Sequence, residues 1–163
     1  MASINKNLSD FSHMEVASAA PYRFGIVVSQ WNASVTGNLL DGAYTALKQY
    51  GALEENIHVM QVPGSYELTS GADILLRNQA WDAVICLGCV IQGETKHFDY
   101  ICSAVANGIT QVALKHNKPV IFGVLTTDDL QQALDRAGGK HGNKGTEAAV
   151  TAIQMAALSA KNQ

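Results

Sequence analysis

Charged side chains are scarce in this sequence. They make up 15% of its 163 residues, where an average globular chain carries roughly 25%. Apolar residues, at 47%, are not reduced to match. A chain short of the residues that normally cover a monomer implies surface buried against other subunits; a surface covered by small uncharged polar residues is the alternative. Basic excess is lacking too. A net charge of −3 and a pI of 5.9 exclude the basic face of a nucleic-acid-binding domain. No run reaches the ~18 apolar residues that would suggest a membrane span. The first 20 residues intersperse Asn5, Lys6, Asp10, His13 and Glu15 without the apolar stretch of a secretory leader. Cysteine is limited to an odd three, which suits a reducing compartment and predicts the cytoplasm.

What is present is an alternation. Residues 1–20 carry no clear period and read as an irregular arm with room for a short strand. From residue 21 to 163 a single domain follows. Apolar runs of strand length lie at 23–29, 57–62, 82–90 and 119–125. Helical spacing of apolar residues lies at 37–50, 65–78, 97–116, 128–137 and 144–160, with Gly51 closing the first helix and Ser65 placed to cap the second. Strands that are apolar throughout and alternate with helices predict a four-stranded parallel sheet covered on both faces. That is an α/β, three-layer αβα sandwich.

In such sheets ligands bind outside the carboxyl ends of the strands. Those ends carry Gln30-Trp31-Asn32, the Pro63 to Glu67 segment, Gly88 to His97, and Thr126-Thr127. The segment from Gly88 to Tyr100 brings a strand into a helix through Gly93. Free N–H groups near Glu94, Thr95 and Lys96 would form an anion site at the helix N-terminus, or the segment is an ordinary turn with a solvated histidine. His97 stands in the first helical turn, and imidazole titrates in the range that suits proton transfer. Trp31 can stack on a flat ring or fill a packing gap. Glu67 can face a ligand or simply complement a helix dipole. Cys86 and Cys89 form a CxxC, but residues three apart on a strand point to opposite faces and do not converge on a metal. They read as buried small hydrophobes. His141 and the glycines at 138, 139, 142 and 145 could cradle an anion; a flexible surface turn is preferred. Arg136 ends a helix of about ten residues, some 15 Å long, that runs away from the rim, so within one subunit it should be far from the site.

Five segments together resemble lumazine synthase, a riboflavin-pathway enzyme. They are Gly25 to Asn32, Val62 to Leu68, Gly88 to Tyr100, Phe122 to Thr127, and Asp135 to Gly145, in the family's order and spacing from about residue 22 onward. The resemblance implies a flavodoxin-like fold and the condensation of two small substrates, a ribitylaminouracil and a dihydroxybutanone phosphate, without metal or organic cofactor. It implies that Trp31 stacks on the pyrimidine and Asn32 bonds its polar edge. Ser65, Tyr66 and Glu67 would hold the ring and the ribityl chain, and Val90 and Ile91 would offer backbone groups to the heterocycle. Glu94 and Thr95 would place amides on the phosphate, and His97 would transfer protons. Phe122, Arg136 and Lys144 would come from the adjacent subunit of a pentamer, which resolves the distance of Arg136. The short 138–145 turn resembles that of members that build sixty-subunit shells. The family most often has Phe at the position of Trp31 and often Arg at that of Gln92. Two other readings share these features: a flavin- or nucleotide-holding module without chemistry, and a scaffold whose assembly is its function.

Overall fold

The computed structural model describes residue 7 and residues 9–162. Four apolar runs form the central sheet: β1 (Phe24–Ser29), β2 (Ile57–Val62), β3 (Ala83–Ile91) and β4 (Val120–Thr127), all parallel, in the order β2-β1-β3-β4. Side chains alternate across this sheet and feed two cores. Ile26, Val28, Ile85 and Leu87 enter the core under α1 (Ala33–Gln49) and α5 (Lys144–Lys161). Val27, Val84 and Cys86 enter the core under α2 (Leu68–Asn78) and α3 (His97–His116). Fully burying one such aliphatic side chain stabilises the fold by about 1.5–3 kcal/mol. The three-layer αβα sandwich around a four-stranded parallel sheet is therefore as the alternation predicts. The CxxC divides as its spacing requires: Cys86 lies in one core and Cys89 in the other. Burial raises both thiols, to about 12 and about 11, which leaves them inert as nucleophiles.

Several local expectations are corrected. β2 is an edge strand, and His58, Val59 and Gln61 are exposed, so the sheet is not covered on both faces throughout. α1 begins at Ala33, a turn before Gly37, because Asn32 takes the left-handed conformation (φ 59°) that opens the helix. α2 begins at Leu68, and Ser65 does not cap it. Residues 64–68 instead form a turn, with the Glu67 and Leu68 amides donating to the carbonyls of Gly64 and Ser65. α4 (Leu130–Asp135) is six residues long, about 9 Å, because the Asp129 side chain caps it at Gln132 and the chain leaves it at Arg136. The 138–145 segment is no loose turn. It contains an antiparallel hairpin of β5 (Ala137–Gly139) and β6 (Gly142–Asn143), which escapes detection because glycine carries no period-two pattern. Among the described residues of the arm there is no strand. The arm lies on the domain, with Ala19 fully buried and Val16 against the core under α1 and α5. No helix among the described residues is long and apolar enough to cross a membrane.

Candidate active site

β1 and β3 are neighbours whose following connections leave in opposite directions, which opens a crevice at their carboxyl ends. A cavity of about 670 Å³ lies there. β1 contributes Trp31 and Asn32. The turn before α2 contributes Ser65, Tyr66 and Glu67, and the end of β3 contributes Val90 and Ile91. Thr95, His97 and Phe98 come from the entry to α3, with Ile101 one turn further along. Nine of the thirteen residues expected at a site thus line one cavity. Glu94 sits in the loop beside it but is not part of the wall.

Each wall element is held by identifiable bonds. Asn32 donates from Nδ2 to the Cys89 carbonyl (3.1 Å), tying the end of β1 to β3. The buried Ser65 hydroxyl accepts from the Cys89 amide (3.2 Å) and donates to the Cys89 carbonyl (3.4 Å). It can do so because position 88 is glycine: a Cβ there would stand 2.7 Å from Ser65 Oγ. Ser65 therefore keeps one lone pair for a ligand. Trp31 is 71% exposed, which excludes the packing-gap alternative and leaves its face open to the cavity mouth.

The loop into α3 has the character of an anion site. Among the described residues, no protein acceptor takes the amides of Gly93, Glu94, Thr95 or Lys96. The Gln92 side chain donates to the Gly93 carbonyl (2.8 Å), and the Gln92 amide donates to Thr127 at the end of β4 (2.8 Å), so the loop is pinned at its start. The His97 amide donates to Thr95 Oγ1 (3.4 Å). His97 is exposed at the cavity edge. Yet the wall contains no lysine or arginine, so a dianionic ligand would meet backbone dipoles and few full charges.

The remaining three expected residues lie elsewhere. Phe122 is exposed on the edge strand β4. Arg136 reaches Glu147 (Nη2 to Oε1, 2.8 Å) and donates from Nη1 to the His141 carbonyl (2.7 Å). Lys144 approaches the other Glu147 oxygen at 3.3 Å. The Lys144 amide donates to the Arg136 carbonyl (2.8 Å), so the two cations flank the base of the hairpin and share one carboxylate. Glu147 Oε1 is buried and meets Arg136 by charge without an aligned hydrogen bond. The expected separation of Arg136 from its own site does not come from a long helix, since α4 is short. It comes from the hairpin, which anchors Arg136 against α5. Sequence reasoning missed Glu147, although an acid three residues after Lys144 in a first helical turn was a usable signal. It also missed Phe98 and Ile101, whose apolar spacing reads as core. Among the described residues, no three His, Cys, Asp or Glu side chains are grouped as a metal would require.

Comparison with known proteins places the chain beside one family. Residues 21–160 match the model of a family described as 6,7-dimethyl-8-ribityllumazine synthase. A protein of that name from Cytophaga hutchinsonii is 57% identical, over 96% of this chain and 98% of its own length. Those from Parabacteroides distasonis and Porphyromonas gingivalis are 52% and 51% identical, each over at least 97% of both chains.

Proposed function

The chain belongs to the 6,7-dimethyl-8-ribityllumazine synthase family, and from that premise we propose how its cavity does the family's work. The reaction condenses 5-amino-6-(D-ribitylamino)uracil with 3,4-dihydroxy-2-butanone 4-phosphate. It gives 6,7-dimethyl-8-ribityllumazine, phosphate and water, the penultimate step of riboflavin biosynthesis and a transferase activity. The observation that carries the site reading is the joining of an open Trp31 face, the Glu67 carboxylate, unpartnered amides at 93–96 and His97 in one cavity.

Trp31 stacks on the pyrimidine while Asn32, Tyr66, Glu67 and the backbone at Val90 and Ile91 take its polar edge and ribityl hydroxyls. Ser65 holds that wall in place and offers its remaining lone pair. The amides of Glu94 and Thr95 take the phosphate. Catalysis is then chiefly positioning. Holding amine and carbonyl together supplies effective molarity, and His97 moves protons as the imine forms and phosphate leaves, a contribution of roughly 10²–10⁴-fold.

The absence of lysine and arginine from the cavity wall supports a site completed by a second copy. Phe122, Arg136 and Lys144 of one subunit close the cavity of the next, Arg136 meeting the phosphate by a charge-assisted contact. The outer surface of α3 supports self-association as well. Tyr100 and Leu114 are 73% and 77% exposed, and no charged residue stands between Asp99 and Lys115. The assembly is a pentamer, and the short hairpin favours packing into a sixty-subunit shell. The cytoplasm is its compartment, where buried thiols stay reduced. Incubating the purified chain with both substrates should produce a fluorescent lumazine. Folded, assembled protein that yields none, or that is yellow from retained flavin yet inactive, would overturn the assignment.

A further inference from the structure

The N-terminal arm carried none of the motifs, yet it meets the hairpin that bears Arg136 and Lys144. The contact is at Ser9. Its hydroxyl donates to the Asn143 carbonyl (3.0 Å) and accepts from the Asn143 amide (2.6 Å), so both backbone groups of Asn143 are engaged by one side chain. Asn7 orients this hydroxyl: its Oδ1 accepts from the Ser9 amide (3.0 Å) and folds the arm into a tight turn. The arm also presses on Gly142. That residue has φ 87°, and a Cβ there would come within 2.6 Å of Ser9 Oγ and 2.5 Å of Asn7 Oδ1.

Asn143 is the joint on which the hairpin turns. Its Oδ1 accepts from the amides of Gly145 and Thr146, capping α5. Its Nδ2 donates to the Asn38 carbonyl of α1 (2.8 Å), and it lies so close to α1 that a Cβ at Gly42 would meet its side chain at 2.5 Å. Every polar group of Asn143 is therefore bonded, to the arm, to α1 or to α5. Lys144 is the next residue. Arg136 is joined to Lys144 through the backbone and through Glu147. A shift of Asn143 moves both cations together.

We infer that Ser9 is a positioning residue for the condensation: through Asn143 it sets where Arg136 and Lys144 present their charge to the phosphate-bearing substrate. This rests on the reading that Arg136 takes that phosphate. The arm is then part of the enzyme's working geometry, although it supplies no group that touches substrate.

The test uses the full-length assembled protein and three variants, Ser9→Ala, Ser9→Thr and Arg136→Ala. Ser9→Ala removes both bonds from an arm position whose loss leaves the cores intact. It should raise KM for the dihydroxybutanone phosphate roughly two- to tenfold, the range expected from one net hydrogen bond. KM for the pyrimidine should stay at the wild-type value, the melting temperature should fall by only a few degrees, and Ser9→Thr, which keeps the hydroxyl, should return KM toward wild type. Three results would overturn the inference: an unchanged phosphate-substrate KM in Ser9→Ala, a parallel rise in both KM values with a lowered melting temperature, or a threonine variant as impaired as alanine. Arg136→Ala separates the two levels. If it raises the phosphate-substrate KM while Ser9→Ala does not, only the role of Ser9 fails. If Arg136→Ala leaves that KM unchanged, the assignment of Arg136 fails and the role of Ser9 falls with it.

Discussion

At the scale of single residues, the site depends on short polar side chains used twice. Asn32 opens α1 in a left-handed conformation and ties β1 to Cys89. Ser65 bonds both backbone groups of the same Cys89 across the gap left by Gly88. These bonds fix the wall of the cavity, so the proposed heterocycle would meet a surface already in place. His97 is different: it is exposed and held only through its backbone. Its replacement should separate binding from chemistry. His97→Ala is expected to lower kcat roughly 10²–10⁴-fold while the pyrimidine Kd, read from quenching of Trp31 fluorescence, changes little. A comparable loss in both would make His97 a binding group.

At the scale of elements, one carboxylate on α2 adds a charged tie to the end of α3 beside their shared apolar core. Asp73 receives Lys115 (2.7 Å), His116 (2.8 Å) and Arg77 (3.0 Å). The hydrogen bonds from His116 and then Lys115 hold its carboxyl down at about 2. Because the folded value lies below that of an unfolded aspartate, about 4, the stabilisation is complete above pH ~4 and is lost as pH falls toward ~2. Asp73→Asn should therefore melt below wild type at neutral pH, with the gap closing as the pH falls from ~4 to ~2. Melting curves across that range check it; a gap that persists at pH 2 would mean the carboxylate's charge is not what joins the helices. Elements were also where sequence and structure parted. The strands and α3 were legible because apolar runs and a three-and-four spacing are strong signals. The hairpin was not, because Ala137-Gly-Gly and Gly142-Asn143 have almost no side chains to pattern. Its pairing depends on backbone bonds and on positive φ at Gly138 and Gly142.

At the scale of the whole molecule, the scarcity of charge has a location. Part of it is the outer face of α3, where the stretch from Tyr100 to Leu114 holds no Lys, Arg, Asp or Glu, and the cavity wall likewise holds no lysine or arginine. The proposal that a second subunit completes the site is tested by mixing variants. Impaired Arg136→Ala subunits mixed with impaired His97→Ala subunits should regain part of the activity, since some interfaces then pair an intact Arg136 with an intact His97. Light scattering verifies that mixed oligomers formed; no recovery in such oligomers would show that each subunit works with its own residues.

The sequence by itself determined the layer architecture, the rim at which the cavity opens and the strand-end segments that supply most of its wall, because burial periodicity and strand ends are properties of local chain. It also made the separation of Arg136 from its own site foreseeable, though for a reason the short α4 does not support. Only the tertiary structure decided that Arg136 and Lys144 share Glu147, that Ser65 is held by Cys89 rather than capping a helix, and that the arm reaches Asn143. These contacts join residues up to 134 positions apart, and they form only when packing brings glycine-lined surfaces close enough for a single hydroxyl or carboxylate to bridge them.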